Sequence, residues 1–184
     1  MSTKPAFTRA EPDARRQSLI EACARVLARE GAGGTSVRAI AVEAGVSPGL
    51  VGHYFDGIDA LVAQTYAHIE VRVSQAIDAA LIAAGPDPRA RLDAFVTASF
   101  APPIASGELL ATWIAFWSLA RSSPAIARQH DEQYADFRAR LERLLAQCGV
   151  PEARLRAGLS GDLFLDVAQP VLAEVHLAAH EERG

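Results

Sequence analysis

The stretch SPGLVGHY, which ends at Tyr54, carries the side chains whose types and spacing first suggest a chemistry. On a short helix its outward positions are small or polar, namely Pro48, Gly49, Gly52 and His53. The tips of His53 and Tyr54 can hydrogen-bond to phosphate oxygens or base edges. The small residues leave room for apolar contact with thymine methyl groups. The stretch therefore predicts a surface that lies close against DNA.

A helix–turn–helix pattern positions this stretch. A helical run from Ser36 to Ala44 is followed by Gly45, which can adopt the left-handed conformation that ends helices at low cost. Ser47 can then cap the next helix, with a proline at the first helical position, where a missing N–H does no harm. Upstream, Thr35 or Ser36 caps the first helix. The residues that can share one small core are Ile40, Ala44, Val46, and Leu50 or Val51.

Two interpretations of this pattern remain. It matches the helix-turn-helix unit, whose second helix enters a major groove by its N-terminal end. Any compact helical protein can also contain a helix, a glycine turn and a helix. A helix of only about two turns with small outward residues would be marginal in isolation, which favours the DNA-binding interpretation.

Four consecutive segments resemble the N-terminal domain of the TetR family of one-component repressors: RRQSLIEACARVLAREGAGG, TSVRAIAVEAGVS, PGLVGHYF and DGIDALVAQ. The resemblance implies an all-helical homodimer with a three-helix DNA-binding domain and a second domain for a ligand and for dimerisation. It implies that Ser36 and Arg38 lie near the DNA backbone and that Tyr54 holds a phosphate. The residues implied to face the groove are Ser47, Pro48, Gly49 and His53.

One position departs from the family pattern. Members commonly carry a lysine in the first turn of the fourth helix, where it meets a phosphate, but this chain has Gly57, Ile58 and Asp59 there. Without that contact, the salt dependence of DNA binding is expected to be shallower by about one unit of slope.

Composition limits the class of protein. The chain has 184 residues, half of them hydrophobic, which is enough for one or two small domains. No apolar run approaches about 18 residues and the start lacks a signal-peptide core, so we expect a soluble cytoplasmic protein. The net charge is −4, and all of it falls in residues 61–184. Basic residues near the start either reach DNA phosphates or belong to a solvated tail; they are Lys4, Arg9, Arg15 and Arg16.

Helical periodicity with short connections predicts an all-α protein of eight or nine helices. We expect a flexible tail over residues 1–11, a DNA-binding domain over 12–57, and a ligand-binding and dimerisation domain over 58–184. A long helix from about Ile58 to Ala84 has one apolar face, formed by Leu61, Thr65, Ile69, Val73, Ile77 and Leu81. Further helices are predicted over 89–100, 106–122, 123–148 and 151–169, with a short one after Pro170.

Aromatic residues cluster in the predicted helix 106–122. Trp113, Phe116 and Trp117 recur at i, i+3 and i+4, so they share one face. They form either a core or dimer contact or the wall of a pocket, because aromatic faces attract quaternary ammonium groups. We expect ligand contacts from these three residues and from Phe100 and Tyr134. Phe95 and Phe137 could complete an aromatic cage, and Glu108 could add charge.

The segment TWIAFWSLARSSPAIARQHDEQYADFRARLERLL resembles the C-terminal domain of BetI-type regulators, the choline-responsive branch of the TetR family. The resemblance implies a repressor of betaine-synthesis or quaternary-amine transport genes, although this domain type also occurs in relatives with other ligands. The run Asp162-Leu163-Phe164-Leu165 stands where the branch has Gly-Leu-Trp-Leu, and the chain then ends early. This departure affects the expected extent of the dimer interface.

No enzyme activity, cofactor or metal is expected. The chain lacks the Glu-x-x-His motif of di-iron bundles, a P-loop and a nucleophile elbow. His176 and His180 are one turn apart, but no third ligand accompanies them. His68 and His130 have no sequence partner that commits them to chemistry. Cys23 lies on an apolar stripe and is expected to be a buried core residue.

The sequence thus predicts a repressor that binds a palindromic operator as a dimer and is released by a small molecule, choline or another quaternary amine. Two alternatives remain open. One is a regulator of the same fold that senses a hydrophobic drug or lipid, and the other is a helical partner protein that does not bind DNA.

Overall fold

The computed structural model describes residues 12–151, which form seven α-helices joined by short connections, with no β-strand among these residues. The all-α prediction is confirmed. The tail over 1–11, the helices expected beyond Pro151 and the departure at 162–165 lie outside the described residues. The helices are α1 (Pro12–Gly34), α2 (Val37–Glu43), α3 (Pro48–Tyr54), α4 (Gly57–Ala83), α5 (Pro88–Ser99), α6 (Gly107–Ala120) and α7 (Pro124–Gln147). None of these seven combines the length and apolar character needed to cross a membrane.

Two glycines break the helical path on either side of α2. Gly31 has φ 67° and ψ −173°, so the helical conformation of α1 is interrupted at this residue. Gly45 has φ 64° between α2 and α3, the left-handed conformation that glycine adopts at low cost. The turn predicted between the two short helices is therefore present.

Side-chain caps begin most of the later helices. The hydroxyl of Ser36 accepts a hydrogen bond from the backbone N–H of Ala39 at 3.2 Å, so Ser36 rather than Thr35 caps α2. Ser47 stands at the N-cap of α3, but its side chain makes no capping hydrogen bond, which corrects the predicted cap. Helices α5, α6 and α7 are capped by Asp87, Ser106 and Ser123.

Two hydrophobic cores lie along α4. The first core joins α1, α2, α3 and the N-terminal half of α4 to α6 and α7, and it includes Val51, Phe55 and Tyr66. The second core packs the C-terminal half of α4 against α5 and α7, and its buried members are Ile77, Leu81, Phe95 and Leu144. Val73 packs against both cores. Helix α4 therefore connects the two cores, and α7 also contributes to both through Ile126 and Leu144.

The apolar faces expected from the sequence are buried. In the helix pair, Ile40 and Val51 are buried and Ala44 and Val46 pack against the first core. Cys23 is fully buried, and burial raises the pKa of its thiol to about 11, as expected of an inert core residue. On α4 the buried members of the predicted face are Leu61, Thr65, Ile69, Ile77 and Leu81.

Ion pairs hold α1 against α2. Arg25 Nε and Arg29 Nη1 lie 2.7 Å and 2.8 Å from the two carboxylate oxygens of Glu43. Hydrogen bonds from Arg25 and Arg29 lower the pKa of Glu43. Exposed ion pairs add little stability, so these contacts chiefly fix the orientation of α2 and, through Gly45, that of α3.

Candidate recognition surface and ligand cavity

The outer face of α3 is exposed and carries mostly small side chains. Ser47, Pro48, Gly49, Gly52 and His53 are all exposed. A methyl group built onto Gly49 or Gly52 meets no atom within 4 Å, so neither glycine is required by packing among the described residues. The backbone of α3 is thus open to close approach by another molecule. We call the face formed by these five residues the recognition surface.

Tyr54 stands at the C-terminal end of the recognition surface. It is half-buried and packs against the first core. The ring of His53 meets the ring of Tyr54 edge to face, with centroids 5.3 Å apart. The core contact limits the positions of Tyr54, while His53 remains exposed. Tyr54 is therefore a hydrogen-bonding group held in place by packing, and His53 is one whose side chain can adjust.

Arg16 fixes the position of this end of α3, a role that the sequence did not predict. Its Nη1 donates to the backbone carbonyl of Tyr54 at 3.1 Å, and its Nε donates to Oε1 of Gln64 at 3.0 Å. Its guanidinium group also lies 4.8 Å from the ring centroid of Phe55. Arg16 therefore belongs to α1 and not to a solvated tail, and whether it also reaches a DNA phosphate stays a prediction. The sequence feature that could have indicated its role in positioning α3 is the position of Arg16 one helical turn before Leu19, which is buried.

The flanking positions implied by the family resemblance differ in their surroundings. Arg38 is exposed on α2, whereas the Ser36 hydroxyl is engaged in the cap. Gly57, at the start of α4, has φ 85°, a conformation that disfavours any other residue. Ile58 is half-buried and packs against the first core. The place of the family's lysine is thus occupied by a residue that contributes to protein packing.

A cavity of about 110 Å³ lies between α4, α5, α6 and α7. A cavity of similar size, about 150 Å³, holds benzene when apolar side chains line it. Val73, shared by both cores, and Ile77, from the second core, form part of its wall. The cavity therefore lies between the two cores, beside α4. Its aromatic lining residues are Phe100, Trp113, Trp117, Tyr134 and Phe137.

Three residues predicted near a ligand lie elsewhere. Phe116 is fully buried in the first core, and its ring centroid is 4.7 Å from that of Tyr66. Phe95 is buried in the second core. Glu108 lines a second cavity between α1, α4 and α6 together with Arg72. Trp113, Trp117, Phe100 and Tyr134 line one cavity, whereas Phe116 lies in the first core. That the four residues contact a ligand stays a prediction.

A polar edge interrupts the apolar lining. His130 and Gln133 of α7 line the cavity, and both contact the hydroxyl of Tyr66 behind it. The Tyr66 oxygen lies 3.1 Å from His130 Nδ1 and donates to Gln133 Oε1 at 2.9 Å. Burial lowers the pKa of His130, which favours a neutral imidazole. The sequence offered no partner for His130 because Tyr66 lies on a different helix.

The recognition surface and the turn before it define a helix-turn-helix protein, and a cavity lies beside α4. Comparison with known proteins agrees with this class. Residues 19–65 match the model of the tetR family of bacterial regulatory proteins. Residues 88–164 match the model of the BetI-type transcriptional repressor, C-terminal.

Curated relatives and solved structures extend the match over most of the chain. An HTH-type transcriptional regulator BetI from Paraburkholderia phymatum is 35% identical over 167 residues, which cover 83% of this chain and 85% of the relative. One from Burkholderia cenocepacia is 34% identical over 149 residues, covering 80% and 75%. A transcriptional regulator structure from Pseudomonas aeruginosa is 39% identical with a TM-score of 0.70, covering 94% and 80%. One from Saccharomonospora viridis, solved with choline, shares the fold at 18% identity and a TM-score of 0.64, covering 89% and 82%.

The chain belongs to the TetR family of bacterial transcriptional regulators, with a C-terminal domain of the BetI type. These families and relatives are DNA-binding regulators, not enzymes. They do not support the alternative of a helical partner protein without DNA binding. His176 and His180 lie outside the described residues.

Proposed function

We propose that two copies of this chain repress transcription by binding a palindromic operator, and that a small quaternary amine such as choline releases them. The α3 helices would lie in successive major grooves, about 34–36 Å apart. The observation that carries this proposal is the aromatic cavity beside α4, the helix that follows α3 and contacts both cores. A structural relative of this fold was solved with choline.

The lining favours a cation that ring faces can hold. Phe100, Trp113, Trp117, Tyr134 and Phe137 supply five rings around one cavity. A cation over such a face gains about 2 kcal/mol or more when water is excluded. Among the described residues that line the cavity there is no Asp or Glu. A ligand there would therefore be held through ring faces and packing rather than through an ion pair.

Coupling to DNA would run through α4. A ligand shifts an equilibrium only through its different affinity for the two arrangements. A ligand against Val73 and Ile77 contacts side chains of both cores, so it favours one spacing between them. Because α4 begins directly after Phe55 and Asp56, a shift of α4 moves α3. In a dimer, the two recognition surfaces would then lose the spacing that the operator requires.

Operator binding by variants tests the recognition surface. The probe is a DNA duplex recovered from a random library by repeated selection with the wild-type protein. His53→Ala and Tyr54→Ala should each weaken binding about tenfold, since contacts to a base edge contribute about 1–3 kcal/mol. Tyr54→Phe separates loss of the hydroxyl from loss of packing. Ile82→Ala, at an exposed position far along α4, serves as the control, and wild-type affinity in all the α3 variants would overturn the assignment.

Choline titration tests the ligand. Trp113 and Trp117 are the two tryptophans of the chain, and both line the cavity. Their fluorescence should change as choline is added and should reach a plateau once the cavity is saturated. No response at millimolar choline would remove the quaternary-amine part of the proposal and leave the regulator class unaffected.

A second candidate ligand class is a neutral hydrophobic drug or lipid. The predominantly apolar lining and the partly exposed Phe100 at its wall favour this class. A thermal-shift screen of neutral and cationic ligands of matched size separates the two. Stabilisation by neutral compounds alone would favour the hydrophobic class.

A further inference from the structure

His130 and Gln133 give the cavity a place where a ligand can form hydrogen bonds to a pair of side chains. His130 and Gln133 lie one turn apart on α7, and both meet the hydroxyl of Tyr66. Tyr66 is fully buried, and its ring stands edge-on to Trp113, with centroids 5.4 Å apart. Ser99, another polar residue of the lining, already donates its hydroxyl proton to the Phe95 carbonyl at 2.7 Å. The pair on α7 is thus held by a hydroxyl that cannot itself move far.

Because the Tyr66 hydroxyl has a single proton, one of His130 and Gln133 donates to it and the other accepts from it. Tyr66 donates to Gln133 Oε1 and therefore accepts from His130 Nδ1–H, because a hydroxyl donates only once. That leaves an accepting ring nitrogen on His130 and a donating amide group on Gln133. If Tyr66 instead donates to His130 Nδ1 and the Gln133 amide is flipped so that its NH2 donates to Tyr66, His130 keeps a donor and Gln133 an acceptor. Either arrangement leaves one donor and one acceptor beside each other.

We infer that His130 and Gln133, positioned by Tyr66, select a ligand that carries a hydroxyl group next to its bulky apolar or cationic part. A hydroxyl donates and accepts at once, so it satisfies both partners in either arrangement. A methyl group in the same place satisfies neither and removes them from water, which is costly. This inference rests on the proposed ligand role of the cavity and adds the group that the ligand must present.

The test uses three probes of nearly equal shape and the full-length protein in titration calorimetry. Choline carries both the cation and the hydroxyl. Propyltrimethylammonium replaces the hydroxyl by a methyl group, and 3,3-dimethyl-1-butanol replaces the ammonium nitrogen by carbon. Choline should bind about tenfold more tightly than propyltrimethylammonium, since about one well-formed pair of hydrogen bonds is lost.

Variants then assign the preference to Tyr66 and Gln133. Tyr66→Phe and Gln133→Leu should reduce the preference for choline to about twofold, because choline loses hydrogen bonds while propyltrimethylammonium binds at least as tightly as before. A purely structural loss would weaken both ligands together. Gln129→Leu is the matched control, because Gln129 lies one turn earlier on α7 and donates to the Ala63 carbonyl instead of lining the cavity. Thermal unfolding checks each variant, and Gln133→Leu, at a half-buried position, carries the test if Tyr66→Phe does not fold.

The outcomes separate this inference from the proposed function. Equal wild-type affinity for choline and propyltrimethylammonium overturns the hydroxyl inference and retains the cation site. Binding of 3,3-dimethyl-1-butanol alone retains the hydroxyl inference and overturns the quaternary-amine proposal. If none of the three probes binds, both the hydroxyl inference and the quaternary-amine proposal are overturned. A preference for choline that persists in Tyr66→Phe and Gln133→Leu overturns the role given to these residues.

Discussion

The recognition surface on α3 and the cavity beside α4 would bind their ligands by opposite physical means. The recognition surface is exposed, carries two glycines without packing neighbours, and has hydrogen-bonding tips at one end. The cavity is lined by five aromatic rings and has a polar edge formed by His130 and Gln133. The first would depend on close approach and on alignment with a second copy, because a chain of net charge −4 attracts DNA weakly. The second would bind its ligand with residues of a single chain.

Because of this difference, single substitutions should affect ligand affinity and operator affinity to different extents. Loss of one ring should remove a large share of ligand affinity, whereas loss of one contact on α3 should reduce operator affinity by a moderate factor. Helix α4 and the side chains of Arg16 and Tyr66 lie between the two regions. Arg16 orients the end of α3, and Tyr66 joins the first core to the polar edge of the cavity.

The largest effect is expected from Trp117→Ala in the cavity. Loss of a ring over a desolvated cation costs about 2 kcal/mol or more, so choline affinity should fall by about 30-fold or more. Operator affinity without ligand should stay within about twofold of wild type, because Trp117 belongs to α6 and lines the cavity rather than the recognition surface. Calorimetry and operator anisotropy measure the two quantities. Ile114→Ala, an exposed position on the same helix, is the control.

Equal losses of ligand and operator affinity in Trp117→Ala would contradict the distinction between the two regions. Such a result would mean that the cavity and the recognition surface are not separable.

The next effect is expected from Gly52→Ala on the recognition surface. The added methyl group meets no atom within 4 Å, so the free energy of unfolding should rise by up to about 1 kcal/mol. Operator binding should weaken about tenfold, because the methyl group prevents close approach of DNA to the backbone. Urea unfolding and operator anisotropy should therefore change in opposite directions. Gly107→Ala, which adds a methyl group in open space on α6, is the control, and unchanged operator affinity in Gly52→Ala would show that DNA does not approach this backbone.

A smaller effect is expected from Ile58→Lys at the start of α4. A lysine that reaches a phosphate should make the slope of log affinity against log salt more negative by about 0.9 per subunit. Ile58→Met keeps an apolar side chain and should leave the slope unchanged. A slope that does not respond to the lysine would mean that no phosphate lies within its reach.

The smallest effect concerns Glu70, on the stretch of α4 between the two regions. Its Oε1 is buried without a hydrogen-bond partner among the described residues, and burial raises its pKa to about 7. The folded protein therefore holds this proton more strongly than the unfolded chain, whose carboxyl has a pKa of about 4.5. Stability from this group is present below about pH 4.5 and is lost as the pH rises through about 7.

Glu70→Gln should therefore raise the unfolding temperature by about 2 °C at pH 8 and change it little at pH 5. Glu132→Gln, at an exposed position on α7, is the control. An equal gain at both pH values would show that Glu70 does not titrate between them.

The recognition surface could be predicted from the sequence because its signals are local. Gly45 ends α2 through its own conformational freedom, and Pro48 begins α3 by the missing N–H, so neighbouring residues suffice. The cap of α3 was the exception, since the hydroxyl of Ser47 does not bond to the helix. Whether this surface binds DNA as assigned residue by residue stays a prediction.

The cavity could be predicted only in part because its wall depends on helix crossings. Successive helical residues are about 100° apart, so Phe116 and Trp117 point in clearly different directions on one broad face. The packing of α4 and α7 decides that Phe116 enters the first core and that Trp117 lines the cavity. The bond between Tyr66 and His130 spans 64 positions, and no local pattern reveals such a pair. The boundary near residue 57 also stays a prediction, because the first core includes residues on both sides of it.

Release of operator DNA by choline is the most direct test of whether the cavity controls the recognition surface. Anisotropy of a labelled selected operator is followed with the wild-type protein as choline chloride replaces sodium chloride at constant ionic strength. The expected result is a fall in operator affinity of about tenfold or more at saturating choline, with choline affinity reduced by the same factor when operator is bound. Operator affinity that stays constant while Trp113 and Trp117 report choline binding would contradict control of α3 by the cavity.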